Sequence, residues 1–192
     1  ESARRGDVNG ARAAIAGISD RAARKTATWV LVDSNGDSLT FAEADQARRE
    51  LMAWPRPAKR KAAAEKLIES SGMSPKQIVA WFDGLEPATA QGAMALAQAY
   101  RYTGQADQAA QLIKRWWGTN SFEVDVQRTM LARFGDVLTP DDHAARADIL
   151  LYGGQGPAAR EMVALLPPDQ QQAAYARIAL RNDASDAVEL AN

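Results

Sequence analysis

The chain has no cysteine, one histidine, 7% aromatic residues and a net charge of −1. Without cysteine there are no disulfides and no thiolate metal sites, and no redox compartment can be read. A single histidine leaves little from which to build an imidazole metal site. The balanced charge excludes a global basic field for nucleic acid or an anionic membrane. No apolar run approaches the length of a membrane span. Period-two alternation is nowhere sustained, so strands have no pattern to grow from. Neither a Walker loop, a dinucleotide glycine fingerprint, nor a Ser-His-Asp or Cys-His set is present. Gly153-Gly154-Gln155-Gly156 lacks a following Lys-Ser/Thr and falls between helical patterns, so it is a turn rather than a phosphate loop. The chain starts at Glu1 without methionine or an apolar leader, which suggests a processed or trimmed piece of a longer protein.

What is present is alanine, helical spacing and punctuation. Alanine is the best helix former and lets helices approach closely. Thr40 with Glu43, Ser74-Pro75 with Gln77, and Thr139-Pro140 with Asp142 are helix-start signatures. Asp20 and Asp169 are expected to cap further helices. Trp54-Pro55-Arg56-Pro57 and Pro167-Pro168 break the pattern. Asp33-Ser34-Asn35-Gly36-Asp37-Ser38 reads as a turn, Glu86-Pro87 as the opening of a long alanine-rich helix, and Ser185 to Leu190 as a short last helix. Gly118 and Gly135 each follow an apolar run, where a residue of positive φ is expected past a helix end.

The turns recur. Gly6, Gly36, Gly72 and Gly104 lie 30, 36 and 32 residues apart. That period fits a helix-pair repeat of tetratricopeptide length, without the full consensus of that class, and it drifts after Gly104. The expected fold is all-α: stacked antiparallel helix pairs in a curved solenoid forming one domain over residues 1–192.

Few residues invite chemistry. His143 lies near Asp141, Asp142 and Asp148, but not at the i, i+4 spacing of helical zinc motifs. It is expected to be a solvated or hydrogen-bonded imidazole and not a metal ligand. Trp29, Trp81, Trp116 and Trp117 could stack on sugars, yet each sits on an apolar stripe, so they are expected in the core. Trp54, flanked by prolines and a basic segment on its C-terminal side, is the better candidate for an exposed aromatic. Arg56, Lys59, Arg60, Lys61 and Lys66 form a local basic patch, expected to be an ordinary solvated face.

One stretch carries a family resemblance. Arg115-Trp116-Trp117-Gly118 is followed by a helix ending Ala132-Arg133-Phe134-Gly135. Then comes Leu138-Thr139-Pro140-Asp141-Asp142-His143-Ala144-Ala145-Arg146-Ala147-Asp148-Ile149-Leu150-Leu151-Tyr152. With Ala80-Trp81-Phe82, Glu86 to Gly92, and Ala174-Tyr175-Ala176-Arg177-Ile178-Ala179-Leu180, this order resembles the N-terminal superhelical (U-type) region of soluble lytic murein transglycosylases. The likeness covers roughly Ser38 to Asp186. It implies a periplasmic, non-catalytic scaffold that holds glycan strands, preceding a lysozyme-like domain beyond Asn192. That domain cleaves peptidoglycan to a 1,6-anhydro product with one glutamate and no cofactor. The family's catalytic glutamate is followed by serine. Here Glu1-Ser2 has nothing upstream, and Glu69-Ser70 lacks the preceding glutamine and following aromatic segment. So no catalytic, metal or cofactor residue is assigned in these 192 residues, and no activity is expected from them. The implied partners are glycan strands and other cell-wall proteins, not nucleic acid. The alternative reading is a tetratricopeptide-like protein-interaction scaffold with no enzyme domain. Which surface binds is left open.

Overall fold

The computed structural model describes residues 1–153 and 156–181. Among them there are eleven α-helices, four short 3₁₀ turns and no strand. The all-α expectation holds. The chain divides into two compact units, the first Glu1–Thr103 and the second beginning at Gly104.

In the first unit a 3₁₀ turn, Ser2–Arg5, precedes α1 (Val8–Ala16), α2 (Arg21–Asn35), α3 (Phe41–Glu50), α4 (Pro57–Lys66), α5 (Pro75–Phe82) and α6 (Ala90–Tyr102). The starts are fixed by side chains meeting the free amides of the first helical turn. Asp20 accepts from the Ala23 amide at 2.7 Å. Glu43 and Thr40 form a reciprocal capping box. Gln77 accepts from the Ser74 amide at 2.8 Å. The second unit holds α7 (Ala106–Thr119), α8 (Val124–Phe134), α9 (Pro140–Tyr152), α10 (Pro157–Val163) and α11 (Pro168–Arg181). Thr139 and Asp142 box the start of α9, behind a proline at its first position.

Within each unit helices pack on a sequence neighbour or on the helix two along. In the first unit α1 lies on α2, α3 on α4 and α5 on α6, while α2 meets α4 and α4 meets α6. In the second, α7 packs on α9, α8 on α10 and α9 on α11, with α10 against both α9 and α11. Alanine permits this closeness: Ala44, Ala64, Ala93 and Ala97 are fully buried. The core of the first unit is built by Leu31, Val32, Leu39, Ala47 and Leu51, with Trp29, Phe41, Trp54 and Trp81 packed against it.

Three buried charges hold the loops to this frame. The Arg60 guanidinium donates to the carbonyls of Leu51, Trp54 and Pro55 at 2.7, 2.9 and 2.6 Å, and pairs with Asp33 at 3.3 Å. It therefore satisfies the acceptors left open past the end of α3. The Glu65 carboxylate does the converse. It accepts from the amides of Ala88 and Thr89 and from the Thr89 hydroxyl, all at 2.8–2.9 Å. Arg146 plays the matching part in the second unit.

Several expected boundaries move, each for a physical reason. Asp33-Ser34-Asn35 is helical and not a turn, because Asn35 donates back to the Leu31 carbonyl at 3.3 Å and Asp33 is held by Arg60. Glu86-Pro87 does not open α6; Glu65 fixes residues 88 and 89 as a loop, and Thr89 becomes the cap, accepting from Gly92 at 3.0 Å. Gly118 lies within α7, and Gly135 has φ −59°, so neither takes the left-handed conformation expected of it. That conformation is found at Gly6, Gly72, Gly84 and Gly104. Three of these are the recurring turn glycines, while the fourth member, Gly36, has φ −50°. Asp169 is not a cap, since Pro168 is already helical; it places its charge in the first turn of α11. Gly154, Gln155 and the last expected helix lie outside the described residues.

Glu65 makes one position of α6 specific for glycine. A Cβ at Gly92 would lie 2.4 Å from Glu65 Oε2 and 3.1 Å from Glu65 Cβ. In a free helix Gly→Ala gains about 1 kcal/mol. Here the carboxylate cannot retreat without giving up its loop, so Gly92→Ala should destabilise by about 1–3 kcal/mol. Urea denaturation checks the sign; a stabilised variant would show that Glu65 is not locked.

Candidate functional site

In the first unit a groove of about 630 Å³ lies among α1, α2 and α3. Ile15, Leu31, Val32, Leu39 and Ala47 give it an apolar floor. Helical spacing sets its walls: Arg21, Arg24, Lys25 and Thr28 share one face of α2, and Glu43, Gln46 and Glu50 share one face of α3. Most of these charges have local work. Arg12 Nε and Nη2 donate to the two Glu43 carboxylate oxygens at 2.6 and 2.8 Å. That fork–fork pair, with the Thr40 amide, holds the Glu43 carboxyl at about 2 despite partial burial, and raises the Arg12 guanidinium further. Arg24 donates twice to the Ile18 carbonyl, closing the α1–α2 turn. Gln46 donates to Glu50 at 2.8 Å. The side chains of Arg21 and Lys25 make no hydrogen bond or ion pair with any described residue.

In the second unit the resemblance stretch closes around Trp117, which is fully buried. Arg146 enters from α9 and is also fully buried. It donates to Gln127 Oε1 at 2.7 Å and to the carbonyls of Trp117 and Asn120 at 3.1 and 3.0 Å. Its guanidinium carbon stands 4.6 Å from the Trp117 ring centre and 4.0 Å from that of Phe122. No described carboxylate pairs with it. Burial pushes the guanidinium down to about 10, and it stays charged at neutral pH. His143, one turn earlier on α9, meets Trp117 edge-on at 5.7 Å. Burial lowers the His143 imidazole below its ordinary value, and neighbouring Asp142 only partly opposes this. Burial also works against ionisation of Asp142. The Thr139 backbone and Lys114, 3.0 Å away, outweigh it and keep the carboxyl below its usual range.

The expected residues fall as follows. Trp116 and Trp117 are in the core. Trp29 and Trp81 are half-buried against it, and Asp45 pins the Trp81 indole nitrogen at 2.8 Å. Trp54 is not an exposed aromatic. It packs on Trp29 with ring centres 5.9 Å apart, because Arg60 draws the Trp54 carbonyl inward. The basic patch does not exist as one solvated face. Arg60 is buried, Lys59 donates to the Asp33 carbonyl, Lys61 to the Glu86 carbonyl, and Lys66 pairs with Asp37 at 3.1 Å; Arg56 is exposed. Glu69 is exposed in the 3₁₀ turn Ile68–Ser70. No group of three His, Cys, Asp or Glu side chains among the described residues could hold a metal ion. Among them, too, no helix is long and apolar enough to cross a membrane.

Glu65, Arg60, Arg146, Arg21 and Lys25 were not legible as individually special residues; Arg60 stood only within the basic patch and Arg146 only within the resemblance stretch. For the first three the signal is faint: a charge standing where the helical pattern calls for an apolar residue. No protein family, no curated protein and no solved structure matches this chain.

His143 yields a pH signature. The folded imidazole is depressed, so the folded state binds fewer protons than the unfolded one near the ordinary value of 6.5. The resulting stability is complete above pH 6.5 and is lost as pH falls through the folded value. A nuclear magnetic resonance titration should place His143 below 6.5. His143→Ala should flatten that part of the stability profile, and a titration at or above the ordinary value would contradict the burial. Trp117→Ala should cost about 3–5 kcal/mol in chemical denaturation, as expected for emptying a buried indole site.

Proposed function

We propose that this chain is a non-catalytic helical scaffold that holds and orients glycan strands of peptidoglycan. On this reading it serves a periplasmic lytic murein transglycosylase whose lysozyme-like domain lies downstream. Its helix pairs stack into a curved, tetratricopeptide-like superhelix. The observation that carries the reading is the unit formed by the resemblance stretch. Trp117, Phe122 and Arg146, three residues within that stretch, are drawn together as one clamp, and Phe134 is buried in the same unit. The motif order is thus accounted for by packing, as a scaffold's signature should be. Contacts of α2 with α4 and α4 with α6 in the first unit, and of α7 with α9, α8 with α10 and α9 with α11 in the second, support the superhelix, since stacking pairs on pairs produces such contacts. In the proposed setting the chain has no cofactor and no nucleic-acid partner, and other cell-wall proteins can share its surfaces.

A protein-interaction scaffold is the second reading. It is favoured by the groove of the first unit, which no aromatic ring lines and which therefore offers no platform for stacking a sugar.

Co-sedimentation with purified peptidoglycan sacculi separates the two. The chain should pellet with sacculi, and mass spectrometry should find no 1,6-anhydro muropeptides released by it. A chain that stays in the supernatant overturns the glycan-scaffold reading. Products that vanish with Glu69→Gln would place catalysis inside the chain.

A further inference from the structure

We propose that the groove among α1, α2 and α3 is a binding site for a short carboxylate-bearing peptide, with Arg21 and Lys25 as its recognising cations. The size fits: about 630 Å³ lies within the range of pockets that hold small ligands. The distribution of used and unused charge points to the ligand. Arg12 is consumed by Glu43 in a bidentate pair, and Arg24 by the Ile18 carbonyl. Arg21 and Lys25, one turn apart on the α2 wall, have no partner among the described residues. Lys25 is half-buried at the groove wall, and its side chain has no partner among the described residues, so its charge is available to an incoming carboxylate. Thr28 continues the same face and offers a hydroxyl; below it Leu31 and Ile15 form an apolar floor for small aliphatic side chains. Across the groove Gln46 and Glu50, hydrogen-bonded to each other, form a polar wall. A cationic wall, a polar wall and an aliphatic floor without aromatic rings suit a peptide of small residues and do not suit a sugar ring. Two carboxylates in the lining and an overall charge of −1 disfavour a polyphosphate.

Resting on the proposed function, the ligand is the acidic peptide stem carried by peptidoglycan strands. The scaffold then grips its substrate by the peptide, at this groove, rather than by the sugars.

The test uses the full chain, titrated with a soluble stem tetrapeptide, a peptide-free glycan tetrasaccharide and inorganic polyphosphate, followed by calorimetry and by resonances of Ile15 and Leu31. The tetrapeptide should shift those resonances and the tetrasaccharide should not. Each of Arg21→Ala and Lys25→Ala should weaken binding about threefold to fivefold, and the double variant about tenfold or more, as expected for an exposed and a half-buried charge. Glu50→Gln, which removes a negative charge from the rim, should tighten binding by about twofold. Both alanine changes are compatible with the helix, and unchanged melting confirms that any loss is local. Equal binding by wild type and the double variant overturns the proposal, as does polyphosphate binding tighter than the peptide. Pelleting with sacculi together with indifference to the tetrapeptide removes the groove assignment and leaves the scaffold reading standing. Tetrapeptide binding without pelleting does the reverse.

Discussion

The structure depends on buried charges that serve the backbone. Helices joined by short loops leave amides and carbonyls without intrahelical partners at every junction, and burying them unpaired is costly. Arg60 gathers the carbonyls past α3, Glu65 gathers the amides before α6, and Arg146 gathers the carbonyls at the end of α7. Each long side chain brings several bonds to a place that water does not reach. Each also joins elements distant in sequence, so these three residues set both the path of the loops and the spacing of the helices. An apolar replacement of similar volume would fill the space and leave the loops unanchored.

This explains which parts of the fold could be read from the sequence. Capping at Thr40, Ser74 and Thr139 is local: donor and acceptor lie within one turn, and so the spacing is visible in the chain. The start of α6 is decided by a carboxylate 23 residues upstream of Ala88, and no local pattern carries that information. The proline at 87 gave the wrong boundary for this reason. The basic run from Arg56 to Lys66 looked like one object because charge was counted along the chain. In the fold its members serve different partners, and Arg60 points into the interior. Trp54 followed Arg60 inward. The recurring glycines were legible where the turn needs positive φ, at Gly6, Gly72 and Gly104; Gly36 shares the interval and not the conformation.

The groove illustrates the converse limit. Its residues come from three helices, and each is unremarkable in its own segment. What distinguishes Arg21 and Lys25 is that their neighbours Arg12 and Arg24 are spoken for. An unspent charge is a property of the assembled surface, and composition alone reports only the total.

The clamp at Arg146 has a further consequence. Its partners are two carbonyls, one amide side chain and two aromatic rings, and none of these takes up a proton or exchanges an ion. Arg12 and Glu43, by contrast, are bound through a carboxylate in a half-exposed setting that acid neutralises and salt screens. The two fastenings therefore respond differently to their surroundings. The Arg146 clamp keeps its contacts through acid and salt that loosen α1 from α3, although His143 and the Asp142–Lys114 pair beside it do answer to pH. A protein built this way can carry a fixed reference point at one fastening while the medium tunes another.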